Sequence, residues 1–370
     1  MALLQLERIS ARYPGAAEPV LSDISLALGP QQLLVALGPS GSGKTSLLNL
    51  IAGFVPPSAG RITLDGAPVN GPGAERGVVF QDDALLPWQN VLANVAFGLQ
   101  LAGVPRDIRE AKARDMLTLV DLAGFEQRRI WELSGGQKQR VGLARALAAD
   151  PSVLLMDEPF GAVDPINREV IQNEFLDMQR QLKKTVMLVS HDIDEALKLG
   201  DRIAVFGQGK IVQCASPDEL LATPANDFVG SFVGQDRTLK RLLLVQAGDV
   251  TDQQPTITVR RSTPLDEAFG TMDENDMRSI TVVDEDGKPL GFVKRREARN
   301  VSGRCEEKLH TFKVTGKAEE NLRVVLSKLY EHNTVWMPIV DEEGRYSGEI
   351  SQDYIADYLS SGRTRRRLNP

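Results

Sequence analysis

A glycine-rich loop between an apolar run and a helical stretch constrains this sequence more than any other feature. The apolar run is Leu33–Leu37, and the loop Gly38-Pro-Ser-Gly-Ser-Gly-Lys-Thr45 follows it with the spacing GxxxxGK[ST]. Glycines let the backbone N–H groups of such a loop curl around phosphate oxygens, and the N-terminus of the next helix adds partial positive charge. In this pattern Lys44 neutralises the terminal phosphates and the Thr45 hydroxyl ligates Mg²⁺. The loop therefore predicts a nucleoside triphosphate site, with a chance glycine-rich turn as the alternative.

A second apolar run ends in two carboxylates. Residues 153–156 predict a buried strand, and Asp157 and Glu158 follow it directly. Parallel strands present ligand groups at their carboxyl ends, so both acids are expected to face the phosphates. Asp157 is then the expected Mg²⁺ ligand, and Glu158 is expected to orient or deprotonate the attacking water. The alternative, two acids that cap a helix, is weak once Lys44 is accepted.

Three further features extend the site. Leu133-Ser-Gly-Gly-Gln137 precedes a helix and predicts a second phosphate-facing N-terminus. One chain cannot easily bring this segment to the phosphates held by the first loop, so the sequence predicts a head-to-tail pair that shares two sites. Gln81 follows a short strand, and His191 follows the apolar run 186–190, from which it would reach the γ-phosphate. A lone histidine after a strand is more often structural, but its place in a phosphate-binding sheet favours function.

The pattern of the chain changes near residue 236, and its 370 residues suffice for two domains. Before that position, apolar runs alternate with helical stretches as in a parallel α/β sheet, and residues 91–130 have the spacing of a helical insert. Residues 236–255 are polar and predict a helical or irregular linker. We therefore expect an ATPase-type domain at 1–235, a linker at 236–255, a repeat domain at 256–360 and a basic tail at 361–370.

Beyond the linker the chain repeats itself at an offset of 57 residues. Val283-Asp-Glu-Asp-Gly287 recurs as Val340-Asp-Glu-Glu-Gly344, and Gly291 recurs as Gly348. Each copy predicts a helix, a strand, a hairpin turn, a strand and a helix. Two such units are expected to bury their sheets against each other, because one alone makes a thin core.

The composition excludes several classes of protein. The chain has two cysteines outside any CxxC pattern and three histidines, which fits a reducing compartment and argues against a metal centre of histidine or cysteine. A net charge of −7 argues against a nucleic-acid partner. No apolar run approaches the roughly 18 residues that span a bilayer, and no secretory signal is expected at the N-terminus.

Taken together, residues 1–235 resemble the ATP-binding subunits of ABC transporters. The Walker A loop, the Gln81 loop, the LSGGQ signature at 133–137, the Walker B strand, the D-loop with Asp164 and the switch His191 occur in the family's order. The resemblance implies an α/β P-loop ABC ATPase with a RecA-like core and helical insert, ATP and Mg²⁺ as ligands, and hydrolysis coupled to transport.

The resemblance also assigns the site residues. The implied catalytic residues are Glu158, His191, Gln81 and Lys44. Tyr13 is expected to stack on adenine and Ser46 to touch the α-phosphate. The full implied nucleotide-binding set is Tyr13, Gly38, Ser40, Gly41, Gly43, Lys44, Thr45, Ser46, Gln81, Ser134, Gly136, Gln137 and Asp164. The implied Mg²⁺ ligands are Thr45, Gln81 and Asp157.

The same resemblance implies partners and a location. ABC subunits of this kind form a homodimer through head-to-tail ATPase domains and bind integral membrane permease subunits. An importer also uses a periplasmic or extracellular substrate-binding protein. The expected location is therefore peripheral, at the cytoplasmic face of the inner (plasma) membrane, with no nucleic-acid partner.

The subfamily resemblance is divided. Residues 1 to about 147, including Leu85-Leu-Pro-Trp88, resemble taurine, sulfonate and nitrate importers. From about Ala148 onward the chain resembles the ATPases of osmoprotectant importers, which take up glycine betaine, choline or carnitine. Osmoprotectant uptake is the leading interpretation because it covers more of the chain, and taurine or sulfonate import is the alternative. A natural or engineered fusion of two subunits stays open.

The 57-residue repeat resembles a pair of CBS domains, an α+β fold. Many such pairs offer Ser or Thr and then Asp to a nucleotide ribose after the repeat's glycine, but here Lys294 and Glu297 stand at those places in the first copy. Ser351 and Tyr354 stand there in the second copy. A structural dimerisation module is therefore at least as well favoured as nucleotide binding. His310 and His332 receive no role, and Trp336 is expected in the core.

Basic residues raise the hypothesis that the repeat senses ionic strength at an anionic lipid surface. They are Lys294, Arg295 and Arg296, and Arg363, Arg365, Arg366 and Arg367 in the tail. Basic residues near such a surface are attracted in a salt-dependent way. The alternative is a solvated basic tail.

Two other functional classes fit the sequence less well. ABC-type ATPases that remodel nucleic acid or ribosomes usually carry two cassettes or a coiled-coil insert, and neither is expected here. A nucleotide-sensing regulator without transport would need an inactive first domain, which the intact Lys44, Asp157, Glu158 and His191 oppose.

Overall fold

The computed structural model describes residues 3–13, 15, 18–81, 84–161, 164–251 and 256–361. The chain divides into two compact units, Met1–Val233 and Gly234–Pro370. Apart from Ser361, the basic tail expected at 361–370 lies outside the described residues, as do two residues of the D-loop. No helix in the described part of the chain is long and apolar enough to cross a bilayer.

The first unit contains ten of the described strands and eight of the described helices. The strands are β1 (Leu4–Ala11), β2 (Leu21–Leu28), β3 (Leu33–Leu37), β4 (Ala59–Leu64), β5 (Ala67–Pro68), β6 (Arg76–Val79), β7 (Val153–Asp157), β8 (Thr185–Ser190), β9 (Arg202–Gly207) and β10 (Lys210–Ala215). The helices are α1 (Lys44–Ala52), α2 (Val91–Leu101), α3 (Arg106–Leu119), α4 (Gly135–Ala148), α5 (Pro165–Leu182), α6 (Ile193–Leu199), α7 (Pro217–Ala222) and α8 (Asp227–Val233).

A six-stranded sheet in the order β10-β9-β3-β8-β7-β6 forms the centre of this unit. All neighbouring strands are parallel except the β9/β10 pair. Strands β3, β7 and β8 are buried along their whole length. Their continuous apolar sequences follow from burial on both faces, as in α/β folds generally.

The register of the parallel strands decides where the loops meet. Leu37 lies opposite Ser190, Asp157 lies opposite Val189, and Val79 lies opposite Met156. The segments after β3, β6, β7 and β8 therefore leave the sheet at one edge, where α/β folds bind their ligands.

A second, antiparallel sheet has the order β2-β1-β4-β5. Buried and more exposed residues largely alternate along β1 and β2, and Leu4, Leu6 and Ile62 share one apolar core with Leu50 and Ile51 of α1. This packing fixes the helix that begins at the glycine-rich loop.

The predicted helical insert is present as α2, α3 and the short 3-10 turn Ile130–Glu132, which leads to α4. Pro105 immediately precedes α3. The buried Asn94 on α2 accepts a hydrogen bond from the backbone N–H of Leu86 and donates to the carbonyls of Leu86 and Asn90. Asn94 thus ties the loop that carries Trp88 to the insert.

The second unit contains two copies of one small fold. Its strands are β11 (Thr258–Arg260), β12 (Ser279–Val283), β13 (Pro289–Lys294), β14 (Gly316–Lys317), β15 (Trp336–Val340) and β16 (Tyr346–Ser351). Its helices are α9 (Arg237–Lys240), α10 (Ala247–Thr251), α11 (Leu265–Glu274), α12 (Arg295–Ala298), α13 (Leu322–Glu331) and α14 (Gln352–Ser361), with 3-10 turns at Arg241–Leu243 and Cys305–Lys308.

The two copies match the sequence offset. Helices α11 and α13, strands β12 and β15, and strands β13 and β16 begin 57 residues apart. The sheets β11-β12-β13 and β14-β15-β16 share one topology, with a parallel pair followed by an antiparallel pair. Leu265, Ala268 and Met272 are buried in one core, and their counterparts on α13 are buried in the other.

The segment expected to be a linker contributes to a core. Leu242, Ala247 and Val250 are buried in the core of the second copy, and the backbone N–H of Ala247 donates to the carbonyl of Glu320. Much of 236–255 therefore belongs to the packed second unit, because its few apolar side chains lie on the side that faces α13 and β16.

Candidate active site

The glycine-rich loop closes against strand β2. Gly43 has a φ of 98°, in the left-handed region that favours glycine, and forms the N-cap of α1. A Cβ atom at this position would lie 2.6 Å from Cδ2 of Leu21. Both the backbone angle and the close approach therefore require a glycine here.

Lys44 is held beneath the loop. Only 5% of the residue is exposed, and its Nζ donates to the carbonyls of Gly38 at 2.7 Å and Pro39 at 3.0 Å. Burial lowers the pKa of Lys44, while the nearby Glu158 and Asp157 act in the opposite direction. The buried Ser42 hydroxyl has no hydrogen-bond partner among the described residues. An ammonium group beside an unpartnered buried hydroxyl fits a phosphate.

The predicted Mg²⁺ ligands Thr45 and Asp157 lie together. The Thr45 Oγ1 donates to Oδ1 of Asp157 at 3.2 Å. Burial raises the pKa of Asp157, and the Thr45 hydrogen bond partly opposes that effect. Hydroxyl and carboxylate oxygens are ligands that Mg²⁺ prefers, and a cation would compensate the buried carboxylate. These two residues therefore fit a magnesium ion.

Three strand ends converge on Glu158. Its Oε1 lies 3.2 Å from Nδ1 of His191, and its Oε2 accepts a hydrogen bond from Nε2 of Gln81 at 3.4 Å. Glu158 also has a left-handed φ of 44°, a strained conformation for a non-glycine residue. The structure thus brings together Glu158, expected at the attacking water, His191, expected at the γ-phosphate, and Gln81, expected as a catalytic residue and Mg²⁺ ligand.

The predicted adenine-binding residue also lies beside the loop. Tyr13 is 40% exposed, and its hydroxyl donates to Oγ of Ser46 on α1 at 3.1 Å. Ser40 and Gly41 lie on the exposed surface of the loop. The sequence therefore placed Tyr13 and Ser46 at one site, although their roles stay predictions.

The signature segment forms a helix N-terminus of its own. Ser134 is the N-cap of α4 and accepts a hydrogen bond from the backbone N–H of Gln137, while the Gln137 side chain accepts one from the backbone N–H of Ser134. In the described contacts these two residues bond to each other rather than to the glycine-rich loop. Gly136 lies in the first turn, and the exposed Asp164 directly precedes α5. This arrangement leaves the N-terminus of α4 open to an external group.

A buried network that no sequence pattern indicated lies next to His191. Glu195 on α6 contacts Ser190 and Gln172, and all three residues are buried. In the sequence Glu195 is one of two acids in the first turn of a helix that Asp192 caps, which is an ordinary surface pattern. No local signal shows that Glu195 points inward.

The repeat differs from two sequence expectations. His310 was assigned no role, but its Nε2 lies 2.6 Å from Oε2 of Glu297, and this hydrogen bond lowers the pKa of the glutamate. Trp336 is half-buried rather than part of either apolar core, and its ring contacts Phe292 and Phe312 at centroid distances of 5.1 and 5.5 Å. Glu297, which stands at the ribose-binding position of the first copy, is therefore hydrogen-bonded within the protein.

The basic stretch 294–296 lies among acids. Arg295 pairs with Asp273 and Asp276, and both Lys294 and Arg296 lie 3.8 Å from a carboxylate oxygen of Glu297. These pairs reduce the positive charge that this stretch offers to a lipid surface.

A glycine-rich phosphate loop, paired carboxylates after a buried strand and a signature helix define an ATPase of the ABC class. The ABC transporter family model matches residues 21–161, and the CBS domain model matches residues 247–303 and 314–361. The chain belongs to the ABC transporter ATP-binding proteins and carries a C-terminal CBS pair. The expected fold class and enzymatic activity are thereby confirmed, and the chain is an ATPase.

Two groups of relatives match different lengths of the chain. The osmoprotectant import ATP-binding protein OsmV of Salmonella typhimurium is 62% identical and covers 99% of both chains. The taurine import ATP-binding protein TauB of Pseudomonas fluorescens is 74% identical over 215 residues, which are 58% of this chain and 81% of the relative. TauB of Pseudomonas entomophila is 73% identical over the same length. The taurine relatives therefore match the ATPase part alone, and their match extends past residue 147.

Solved structures agree with this assignment. The cbiO1 protein of Clostridium perfringens, part of an ABC transporter complex, superposes with a TM-score of 0.57 at 26% identity over 65% of this chain and 94% of that one. A bacterial ABC transporter cassette solved as a dimer has a TM-score of 0.52 at 30% identity over 58% of this chain and 98% of that one. ATP-binding subunits of import systems in this family dimerise and work with membrane permease subunits.

Proposed function

We propose that this chain is the ATP-hydrolysing subunit of an importer for osmoprotectants of the quaternary amine type, such as glycine betaine. The observation that carries the proposal is the 62% identity to an osmoprotectant import protein along the whole chain, including the CBS pair. The taurine importers match at 74% identity, but the match stops short of the repeat. That higher local identity supports taurine or sulfonate import as the second candidate.

An uptake experiment separates the two candidates. The chain is co-expressed with an osmoprotectant-type or a taurine-type permease in cells that lack both systems, and uptake of labelled glycine betaine and taurine is measured. We expect uptake of glycine betaine with the osmoprotectant-type permease alone. Uptake of taurine with only the taurine-type permease would overturn the proposal, and uptake with neither would favour a nucleotide-sensing regulator without transport.

The proposed catalytic roles follow from the contacts. Lys44 is placed to neutralise the β- and γ-phosphates, and Glu158 is placed to orient the attacking water and accept its proton. His191 and Gln81 both contact Glu158 and hold its carboxylate in one orientation. Tyr13 would stack on adenine next to Ser46. Substitution of Lys44 by Ala should abolish binding of a fluorescent ATP analogue, because the buried cation has no substitute among its contacts.

The proposed cofactor is Mg²⁺. Thr45 and Asp157 would hold the ion, and Gln81 is proposed as a third ligand. When bound, the ion neutralises charge on the β- and γ-phosphates. Chelation by EDTA is expected to abolish hydrolysis, and added Mg²⁺ should restore it.

The proposed assembly is a head-to-tail homodimer with shared sites. The N-terminus of α4, which carries Ser134, Gly136 and Gln137, would meet the γ-phosphate held by the partner copy, with Asp164 beside it. The exposed N-terminus of α4 supports this arrangement, because a helix N-terminus stabilises an anion.

The remaining partners are proposed from the family. They are integral membrane permease subunits and a periplasmic or extracellular substrate-binding protein, which would place the chain at the cytoplasmic face of the inner membrane. The exposed Trp88, on the loop that Asn94 holds, is proposed to face the permease.

The CBS pair is proposed to regulate the ATPase. The proposed domains are an ATPase at 1–235, a CBS pair at 256–360 and a basic tail at 361–370. The connecting segment 236–255 packs in part into the core of the second copy. Contact with anionic lipid would rest mainly on the basic tail, since Lys294, Arg295 and Arg296 lie beside acids. Salt-dependent ATPase activity of the assembled transporter that survives deletion of 234–370, the whole second unit, would contradict this regulatory role.

A further inference from the structure

A buried carboxylate, that of Glu195, lies next to the proposed switch histidine. Glu195 is 7% exposed, and its two oxygens have different partners. One accepts a hydrogen bond from the Ser190 hydroxyl, and the other accepts one from Nε2 of Gln172 at 3.1 Å. Burial raises the pKa of Glu195, which shows that its environment disfavours the charged form.

This carboxylate holds both sides of His191 in place. Ser190, the last residue of β8, donates to Glu195, and its Oγ accepts a hydrogen bond from the backbone N–H of Asp192 at 3.0 Å. Ser190 and Asp192, the residues on either side of His191, are therefore hydrogen-bonded to each other and hold the backbone of His191 between them. Its imidazole, in contrast, is exposed and contacts Glu158.

The same network reaches the helix that follows Asp164. On α5, Arg168 approaches Asp192 at 3.9 Å, and Gln172 lies one turn further along and contacts Glu195. The backbone N–H of Arg168 also donates to the carbonyl of Asp164. One face of α5 thus connects the residue at the proposed dimer contact to the segment that carries His191.

The cost of this arrangement argues for a role beyond folding. A buried carboxylate is destabilising unless it is hydrogen-bonded, and an apolar side chain of similar size often serves the fold as well. Helix α6 does not need Glu195 as a cap, because Asp192 already accepts hydrogen bonds from its first turn.

We propose that Glu195 is a positioning residue for ATP hydrolysis. Its carboxylate fixes Ser190, and thereby directs His191 at Glu158, while Gln172 couples this segment to α5 and Asp164. This inference rests on the proposed role of His191 in hydrolysis.

The test is a double-mutant cycle with the full chain and Mg-ATP. Glu195→Ala is expected to lower kcat about 10- to 100-fold, as small displacements of catalytic groups do, with KM for ATP changed less than about twofold. In the background of His191→Ala, the same substitution should cause no further loss, because residues that act through one group are not additive. Glu195→Gln keeps the size of the side chain and one acceptor oxygen for the Ser190 hydroxyl. Its NH2 group can donate to Gln172 when the Gln172 amide flips, so kcat should stay within about threefold.

Two variants keep the cycle interpretable. Asn173→Ala changes an exposed neighbour of Gln172 on α5 and should leave kcat unchanged. Gln172→Ala removes one partner while leaving Glu195 in place, and it replaces Glu195→Ala if that variant fails to fold. Gln172→Ala should likewise lower kcat in the parent chain and should cause no further loss of kcat in the His191→Ala background.

The outcomes separate this inference from the proposed function. If the double variant loses kcat by the product of the two single losses, Glu195 and His191 act independently, and the inference is overturned. Equal losses in kcat and in ATP affinity for Glu195→Ala would mean a merely structural role and would also overturn it. A His191→Ala variant with normal kcat would overturn the role of His191 and the inference together. Neither result affects the uptake experiment, which tests the transported substrate.

Discussion

Glu158 is the residue on which the proposed hydrolysis depends most. Its carboxylate contacts His191 and Gln81. These residues follow β8 and β6 at the same edge of the sheet at which Glu158 follows β7. Each of these side chains comes from a different strand, so the register of the sheet sets their distances. The adjacent Asp157 belongs instead to the proposed metal position, through Thr45.

Substitution of Glu158 by Gln should separate ATP binding from turnover. The amide keeps the size of the side chain but accepts no proton, so kcat is expected to fall about 100-fold or more while ATP still binds. An ATP-bound dimer should then accumulate, which size-exclusion chromatography detects. Glu169→Gln, the same change at an exposed site on α5, is the control. Hydrolysis at the normal rate would show that Glu158 is not the general base.

Glu349 on β16 should make stability depend on pH. Burial raises the pKa of Glu349 to about 7, whereas an unfolded glutamate titrates near 4.3, roughly. Between these pH values the unfolded glutamate is ionised while the folded one still holds its proton. The stability that Glu349 contributes to the folded state therefore falls as pH rises and is fully lost above about pH 7.

Glu349→Gln should therefore be more stable than the parent chain at pH 8, by on the order of 1–3 kcal/mol, and the difference should vanish near pH 4. Thermal unfolding at a series of pH values measures this. Glu342→Gln, at an exposed turn position, should show no such trend. A pH-independent difference would mean that the pKa of Glu349 is the same in the folded and the unfolded chain.

Among the elements, α2 packs in the insert and also holds the neighbouring loop through a side-chain amide. Its buried Asn94 holds the Leu86 backbone, so residues 84–90 have a defined conformation although Trp88 among them is 68% exposed. The helix and the loop form one unit on the surface proposed to face the permease. Sequence periodicity located α2, but the amide contacts needed the folded loop.

Asn94→Ala should destabilise this element. The substitution leaves the N–H and carbonyl of Leu86 without their side-chain partner, and we expect a loss of about 1–3 kcal/mol in the free energy of unfolding. Urea unfolding compares the variant with Gln100→Ala, an exposed position on the same helix that should change little. Equal stability of the two variants would show that water replaces the amide at no cost.

For the whole molecule, the end of the first unit at Val233 decides where the chain can be cut. The polar composition of the following segment suggested a later boundary. Leu242, Ala247 and Val250 are buried in the core of the second CBS copy. A chain that ends at residue 255 would expose these side chains, whereas a chain that ends at 233 would not contain them.

Truncation should reveal this difference. We expect residues 1–233 to elute as a single species and to bind ATP, and residues 1–255 to bind a hydrophobic dye and to aggregate. Size-exclusion chromatography and dye fluorescence compare the two. If both behave alike, the segment 237–251 does not need the repeat to stay soluble.

Much of the fold could be predicted because its signals are local. The strand–loop–helix pattern around Lys44 and the hairpin turns of the repeat depend on neighbouring residues, and the 57-residue offset reappears in the starts of α11 and α13. The place of Tyr13 beside Ser46 required the family resemblance. The link between Glu297 and His310 was missed, since 13 residues and a chain reversal separate them.

The sequence alone determined the order of the phosphate-binding motifs, the helical insert and the duplicated C-terminal unit, because contiguous residues encode backbone conformation and the period of burial. Only the tertiary structure decided which polar side chains turn inward. Glu195 becomes a buried partner of Ser190 because α5 packs across α6, and Leu242 becomes a core residue because α13 lies beside it. Burial and partnership depend on elements distant in the chain, and no local pattern records them.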